Sequence, residues 1–177
     1  MPIGARFPQV LQAAVDGLEW AWVELYREFA PPMLRFLRSQ GAAEPEDLVA
    51  ECFIQIVRNA PTFVGDEAGF RAWTFTIARS RLADAWRHTG RRPVVPVADP
   101  SEHATEETVA GPEEAMLADA GVTEILNQLT PDQRAVIALR FVDRFSLAET
   151  AEILGRSEGA VKLLQHRAVK ALRKLLV

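Results

Sequence analysis

Residues 151–162 read AEILGRSEGAVK, a stretch that predicts two helices meeting in a tight turn. Gly155 can take the left-handed conformation that ends a helix, and Ser157 can cap the next one. Because so few residues separate the helices, they must cross steeply, and Ala151 is small enough to allow that approach. The apolar residues available to fill the angle are Ile153, Leu154 and Val161. This is the spacing of a helix-turn-helix, although such a corner can also be purely structural.

The composition predicts a folded protein of one medium domain or two small ones. Of the 177 residues, 49% are hydrophobic, with nine Phe and four Trp, which argues against general disorder. No apolar run is long enough to cross a bilayer, and residues 1–15 lack the charged start and apolar centre of a signal peptide. We therefore expect no membrane insertion and a location in the cytoplasm.

Cysteine and histidine usage predicts neither a disulfide nor a metal site. Cys52 is the single cysteine, and its apolar surroundings favour a small core residue over a redox sensor. His88, His103 and His166 are too scattered for a zinc pattern. We find no combination of nucleophile, base and metal, so we expect no enzyme and no cofactor.

Charge is strongly segregated along a chain whose net charge is −4. Residues 71–92 carry six arginines against one acid, and residues 134–177 carry nine bases against four acids. Between them, residues 93–133 carry nine acids and no Lys or Arg. Two basic segments are thus divided by an acidic one.

Helical periodicity is lost in the same acidic region. Proline, glycine and small polar residues replace it at about 93–112, which we interpret as a flexible acidic linker. The predicted fold is all-α: a first bundle in residues 1–92, the linker, and a second bundle in residues 113–177 that contains the helix-turn-helix. From its composition, the linker is a solvated, mobile tether that sets the span between the two bundles.

Upstream of the linker, three stretches have apolar residues at three- and four-residue intervals, the mark of amphipathic helices. They are EWAWVELYREF, EDLVAECFIQIVRN and GFRAWTFTIARSRLADAWRH. Pro31 and Pro32 are expected to end or kink the first helix before MLRFLRS resumes. Trp73 lies in helical register with Ile77, which favours core packing.

Downstream, the helix starts carry their capping residues. Thr130 and Gln133 in TPDQ can form a capping box, and Ser146 and Glu149 in SLAE repeat it. The last helix has an apolar face of Val161, Leu164, Ala168, Leu172 and Leu175. Basic and amide side chains on its other faces suit base edges and phosphates in a major groove. Lys170, Arg173 and Lys174, near its C-terminus, are better explained as solvated cations.

These residues resemble a known family. LTPDQRAVIALRFVDRFSLAETAEILGRSEGAVKLLQHRAVKAL is similar to the promoter −35 binding region of extracytoplasmic-function sigma factors. EDLVAECFIQIV and FRAWTFTIARSRLADAWRHTGRR resemble the region of that family that binds core RNA polymerase and the −10 element. The resemblance implies a dissociable subunit that directs bacterial RNA polymerase to promoters, helps melt them and starts transcription.

The resemblance implies two sets of DNA-binding residues. The −35 set is Arg156, Ser157, Glu158, Gly159, Lys162, Leu163, Gln165, His166 and Arg167. The −10 set is Phe63, Val64, Gly65 and Asp66 in a loop that could hold a flipped base, with Arg79, Trp86, Arg87, Arg91 and Arg92 on the helix after it. Leu163 and Leu164 stand where the family usually has Ser-Arg, so an expected arginine contact is missing. Leu163 could touch a thymine methyl or pack internally, and Gln165 could pair with adenine.

For proteins, the resemblance implies docking of Asp47, Glu51, Gln55 and Arg58 on the clamp helices of the largest polymerase subunit. It also implies contact with the flap of the second-largest subunit, and an anti-sigma factor as a further partner. For the acidic linker it implies an alternative to the mobile tether, a segment that enters polymerase channels, where its negative charge could imitate nucleic acid. From pattern alone, the same four residues could be an ordinary solvated face.

The residues alone leave two other classes of protein possible. A self-sufficient helix-turn-helix regulator would need only the second bundle, and it should dimerise on a palindromic operator. A partner-binding adaptor that no longer binds DNA would explain the acidic balance, but not the arginine-rich helix.

Overall fold

The computed structural model describes residues 2–90 and 125–175, which form helices joined by short connections. The first bundle consists of α1 (Phe7–Val15), α2 (Glu19–Ser39), α3 (Pro45–Asn59) and α4 (Glu67–Thr89), with 3-10 turns at Gly4–Arg6 and Ala60–Thr62. The second consists of α5 (Pro131–Ile137), a π-helical turn at Ala138–Val142, α6 (Leu147–Leu154) and α7 (Glu158–Leu175). Within these ranges there is no strand, which confirms the all-helical prediction.

Helix α2 does not end at its two prolines. It runs unbroken from Glu19 to Ser39 with Pro31 and Pro32 inside it, so an end at this point was the wrong expectation. Proline removes a backbone donor, which disfavours a helix interior. Buried side chains on both sides of the pair, Phe29 before it and Met33 after it, hold both halves of the helix against the core.

Aromatic packing organises the first bundle. The Phe29 and Phe70 rings lie 5.1 Å apart between centroids, and Phe7 of α1 lies 5.3 Å from Phe70. Cys52 is fully buried, as expected for a core residue, and burial raises the pKa of its thiol to about 12. Trp73 packs partly buried against the same core, 5.3 Å from the Phe70 ring, which confirms its predicted role.

The second bundle is built around α7. Helices α5 and α6 both pack on it, and Val161 and Ala168 of its apolar face are fully buried. The capping boxes at Thr130 and Ser146 are both present, with each side-chain oxygen accepting from the backbone three residues on. The starts of α5 and α6 are therefore set by local sequence, as predicted.

The two bundles also pack against each other. Helix α4 contacts α6, and α2 contacts α5, so buried side chains of both bundles join one apolar core. Phe75 of α4 joins them, with its centroid 5.4 Å from Phe36 and 4.9 Å from Phe145. The expected linker at 93–112 and the boundaries on either side of it lie outside the described residues.

Candidate nucleic-acid and polymerase interfaces

The corner between α6 and α7 has the predicted geometry. Gly155 has φ 59° and ψ 40°, the left-handed conformation at the end of α6. The Ser157 hydroxyl accepts from the backbone N–H of Ala160 at 3.2 Å and so caps α7. Ala151 and Val161 are buried in the angle. Helix α7 consequently begins at the surface with its first turn pointing away from the bundle.

Most of the predicted −35 residues lie exposed on or before the first turns of α7. The exposed ones are Arg156, Ser157, Glu158, Gly159, Lys162, Leu163, His166 and Arg167. Leu163 is 50% exposed, so it points outward rather than packing internally. Arg156 pairs with Asp132 of α5. Two basic side chains, Lys162 and Arg167, remain on the outward face.

Gln165 is placed differently from its neighbours. It is half-buried, and its side-chain oxygen accepts from Nε of Arg140 at 3.3 Å. Arg140 also donates to the backbone carbonyl of Phe145. The amide expected to read adenine is therefore engaged with a residue of the π-helical turn.

The predicted −10 loop is anchored by one aromatic side chain. Phe63 is half-buried, with its ring 5.1 Å from Phe70 and 5.3 Å from Trp73 between centroids. Val64 is 94% exposed. Asp66 caps α4 by accepting from Gly69 N–H at 2.8 Å. Of the loop residues, Val64 is the one presented most fully to a partner.

Gly65 in the same loop leaves no room for a side chain. An added Cβ would lie 2.8 Å from the Phe63 ring. Glycine here allows the chain to fold closely over that ring.

The basic residues of α4 are not equally available. Arg79 is half-buried, and burial lowers the pKa of its guanidinium, with Asp132 opposing and Arg156 reinforcing that effect. Arg87 is exposed and pairs with Asp84. Trp86 is half-buried and lines a cleft between the bundles. Arg91 and Arg92 lie outside the described residues.

That cleft has a volume of about 490 Å³. Its first-bundle wall includes Phe36, Arg79 and Trp86, and its second-bundle wall includes Asp132 and Ala135. Side chains predicted to contact the −10 element thus face the bundle predicted to contact the −35 element.

The predicted polymerase-docking face of α3 contains more than polar residues. Asp47, Glu51 and Arg58 are exposed as expected, whereas Gln55 is half-buried and accepts from Nε of Arg81 at 2.9 Å. Beside them Ile54 is 52% exposed.

Other apolar side chains extend this surface. Val57 of α3 is 46% exposed and Tyr26 of α2 is 49% exposed, and the Tyr26 ring lies 4.6 Å from that of Phe53. The sequence reading missed these residues because it assigned every outward position of α3 to polar side chains. Exposed apolar groups at an otherwise charged surface are a usual sign of a protein interface.

Two buried charged side chains lie where the bundles meet. Asp143 is 4% exposed, and its carboxylate lies 3.9 Å from Arg71 of α4 and 4.0 Å from Arg35 of α2. Burial raises the pKa of this carboxyl group to about 6, although the two guanidinium groups oppose the shift.

Arg134 is 3% exposed and connects the bundles from α5. Its Nη1 atom donates to the backbone carbonyl of Ser39 at 3.3 Å and to the Asn127 side chain at 3.0 Å. Burial lowers the pKa of its guanidinium.

Residues 2–90 and 125–175 contain neither a candidate metal cluster nor a helix suited to spanning a membrane. No group of three or more His, Cys, Asp or Glu side chains is placed to hold a metal ion. In the same ranges no helix is both long enough and apolar enough to cross a membrane.

Comparison with known proteins identifies the class defined by this pair of bundles. Residues 25–92 match the model for sigma-70 region 2, and residues 125–174 match that for sigma-70 region 4. The chain is 38% identical to the ECF RNA polymerase sigma factor SigL of Mycobacterium tuberculosis over 159 residues, 86% of either chain. It is 33% identical to the ECF RNA polymerase sigma factor BldN of Streptomyces coelicolor over 177 residues, covering 97% of this chain and 66% of BldN.

A solved structure has the same architecture. CnrH, in complex with the cytosolic domain of CnrY, superposes with a TM-score of 0.70 at 26% identity, over 96% of each chain. The chain belongs to the extracytoplasmic-function family of RNA polymerase sigma factors. It is a transcription initiation factor that binds core RNA polymerase and directs it to promoters.

Proposed function

We propose that the two bundles divide promoter recognition, with α7 reading the −35 element and α4 with its preceding loop contacting the −10 element. A third surface, on α3 and α2, docks on the largest polymerase subunit. The single observation that carries this assignment is the outward face of α7. Lys162 and Arg167 are exposed on it, while the opposite, apolar face of the helix is buried against the bundle.

The −35 assignment rests on how α7 begins. A helix N-terminus with free backbone N–H groups attracts a phosphate, and Gly159 in the first turn has no side chain to hold the backbone away. Lys162 and Arg167 can then reach base edges or phosphates, since both are exposed. Gln165 is half-buried on Arg140, so we assign base reading to Lys162, Leu163 and Arg167 ahead of it.

The −10 assignment rests on the loop before α4. The Phe63 ring is fixed against Phe70 and Trp73, while Val64 projects into solvent. An exposed loop that is held in place by a packed aromatic ring is suited to holding an unstacked nucleotide. Arg87 on the exposed side of α4 supplies positive charge for the backbone.

The polymerase-docking surface combines charged and apolar groups. Asp47, Glu51 and Arg58 lie on the same helix as Ile54 and Val57, and all five side chains are exposed. Apolar residues at the centre of an interface usually supply much of the affinity, and charges at its rim supply orientation. We infer that Ile54 and Val57 are the centre of this interface.

We also infer that the protein acts in the cytoplasm without catalysing a reaction itself, and that an anti-sigma factor sequesters it. The similarly folded CnrH was solved with the cytosolic domain of CnrY, a precedent for a protein partner.

Run-off transcription with purified core polymerase tests the assignment. Lys162→Ala and Arg167→Ala should each lower transcription from a cognate promoter roughly five- to 150-fold, the range for losing about 1–3 kcal/mol of base contact. Pull-down of core polymerase should be unchanged, because both residues are exposed on α7 and neither belongs to the proposed docking surface on α3 and α2. The matched control is Lys174→Ala, which removes an exposed base from the C-terminal turn of the same helix.

Three results would contradict the proposal. Loss of polymerase capture in either variant would show that α7 is not a separate DNA-reading element. Tight palindrome binding by the free protein would favour a self-sufficient regulator. Failure of the wild-type chain to direct initiation would favour an adaptor.

A further inference from the structure

The backbone near the start of the chain binds a carboxylate next to the −10 loop, residues 63–66. Both oxygens of Glu67 are used: the N–H of Ile3 donates to Oε1 at 2.8 Å, and the N–H of Gly4 donates to Oε2 at 2.7 Å. Glu67 is the first residue of α4 and directly follows the loop. We call these two hydrogen bonds the pin. They join parts of the first bundle that are 63 or 64 positions apart in sequence.

The conformation of Ile3 and Gly4 accounts for the pin. Ile3 is right-handed helical, with φ −65° and ψ −30°, whereas Gly4 is left-handed, with φ +65°. This succession turns consecutive N–H groups towards the same point and makes a concave anion site, known as a nest. An added Cβ at Gly4 would meet nothing within 4 Å, so glycine is favoured here by backbone conformation and not by lack of space.

The same N-terminal segment packs on the aromatic side chains that support the loop. The Phe7 ring is 1% exposed and lies 5.3 Å from Phe70 between centroids. Phe70 in turn lies 5.1 Å from Phe63, the half-buried residue of the loop. Helix α1 packs as well on the 3-10 turn at Ala60–Thr62, which directly precedes the loop. The N-terminal segment therefore contacts the chain on both sides of the −10 loop.

These contacts fix the two ends of a loop whose middle is exposed. Val64 is 94% exposed, and Gly65 and Asp66 are exposed as well. A loop that is already ordered loses less conformational freedom when it binds a ligand. Taking a base out of the duplex stack costs free energy, which contacts in the receiving site must offset. Ordering the loop in advance therefore favours capture of an unstacked base.

We propose that Glu67 is a positioning residue for promoter melting, which holds residues 3–7 beside the −10 loop and keeps the loop in the conformation that receives an unstacked base. The proposal rests on the proposed function, because it assumes that the loop contacts the −10 element. Glu67 is half-buried and bound to backbone N–H groups, so it acts through the loop and not by touching DNA.

Glu67→Asp tests the pin. Aspartate keeps the negative charge in the first turn of α4, where the helix dipole favours it, but its side chain is one methylene shorter and cannot hold both N–H groups in place. The signal is the fluorescence of 2-aminopurine placed in the −10 element of a promoter duplex bound by the holoenzyme, because this base brightens when it unstacks. The equilibrium constant for unstacking should fall about two- to tenfold, the range for the net loss of one hydrogen bond. Gly4→Ala, which disfavours the left-handed conformation of the nest, should lower it in the same direction.

The matched control is Glu19→Asp, which makes the same change at the exposed first residue of α2. It should unstack the base as well as the wild type does. Pull-down of core polymerase, and holoenzyme binding to a duplex that carries only the −35 element, should be unchanged in all three variants. A general loss of folding would instead lower both of these together with unstacking.

Two results would overturn the role of the pin: unstacking by Glu67→Asp equal to that of the wild type, or a loss of polymerase capture as large as the loss of unstacking. Val64→Asp separates such a failure from a failure of the proposed function, since it places a charge at the most exposed position of the loop and leaves Glu67 unchanged. Weaker unstacking in Val64→Asp but not in Glu67→Asp would keep the −10 assignment and exclude the pin. Unstacking unaffected by Val64→Asp would contradict the −10 assignment itself.

Discussion

Helices α4 and α7 carry many of the basic residues of the chain, yet they are packed in different ways. On α7, one face is buried at Val161 and Ala168 while Lys162 and Arg167 stand in solvent. On α4, buried residues occur around most of the helix, because α3 packs on one side and α6 on another. A helix at the edge of a fold has a single apolar stripe, whereas a helix at its centre does not.

The difference shows that a basic segment of the sequence does not by itself indicate a surface used only for DNA. Six arginines in residues 71–92 predicted a DNA-binding surface, but Arg71 binds Phe145 and Asp143, and Arg79 is half-buried beside Asp132. Positive charge on α4 therefore serves both the contact between bundles and the proposed contact with DNA. On α7, the exposed bases Lys162 and Arg167 are left for the proposed contact with DNA, whereas Arg156, just before the helix, pairs with Asp132.

The largest effect should come from removing the ring at the centre of α4. Phe75 is fully buried between Phe36 and Phe145, so Phe75→Ala should lower the free energy of unfolding by about 3–5 kcal/mol. Leu163→Ala on α7 should change it by less than about 0.5 kcal/mol, since Leu163 is half-exposed. Urea denaturation followed by circular dichroism measures both. Equal losses in the two variants would mean that α4 is not the central helix.

Local sequence was enough to predict the helices and the capped ends of the second bundle, although it wrongly allowed α2 to end at Pro31 and Pro32. The caps at Thr130, Ser146 and Ser157 and the left-handed Gly155 depend on residues no more than four positions apart, and all are present. The all-helical fold follows from the same short-range patterns. These features could be predicted because their physical causes lie within one or two turns of chain.

The packing of the two bundles against each other could not be predicted from local sequence. Arg71 and Asp143 are 72 positions apart, and no periodic pattern links them. Gln55 and Gln165 looked like outward polar residues, yet each accepts from an arginine of another element, Arg81 or Arg140. Long side chains can reach partners that local periodicity does not encode. The assignment of individual DNA contacts stays a prediction for the same reason.

A smaller effect should appear on changing the pH around Asp143, the buried carboxylate where the bundles meet. With the bundles packed together, burial raises the pKa of Asp143 from 3.8 to about 6, with Arg71 of α4 and Arg35 of α2 opposing the shift. A raised pKa means that the packed bundles bind the proton more tightly than a form in which Asp143 is solvated. Contact between the bundles is therefore most favourable at low pH and loses stability as the pH rises through about 6.

Small-angle X-ray scattering at a series of pH values tests this expectation. The radius of gyration of the wild type should decrease between pH 7.5 and pH 5, and Asp143→Asn should be compact throughout because it has no charge to bury. Asp16→Asn, which changes an exposed carboxylate of the first bundle, should follow the wild type. Expansion of the wild type on acidification would reverse the sign and rule out Asp143 as the titrating group.

The smallest effects should distinguish two glycines of the helix-turn-helix. Gly155 has φ +59° and an added Cβ would meet nothing within 4 Å, so Gly155→Ala should cost about 1 kcal/mol through backbone conformation alone. Gly159 lies in the first turn of α7, and an added Cβ would meet only the Ser157 hydroxyl oxygen, at 4.0 Å. Gly159→Ala should therefore raise stability by about 0.5–1 kcal/mol, since alanine is the better helix former.

Promoter binding by the holoenzyme should respond in the opposite sense at Gly159. If a phosphate approaches the N-terminus of α7, the new methyl group lies in its path, and −35-dependent transcription should fall although the protein has become more stable. Thermal denaturation and run-off transcription on the same preparation measure the two effects, with Gly155→Ala as the reference for a change in stability alone. Unchanged transcription in Gly159→Ala would mean that DNA does not approach this end of α7, and the −35 contacts would then have to lie further along the helix, towards Arg167.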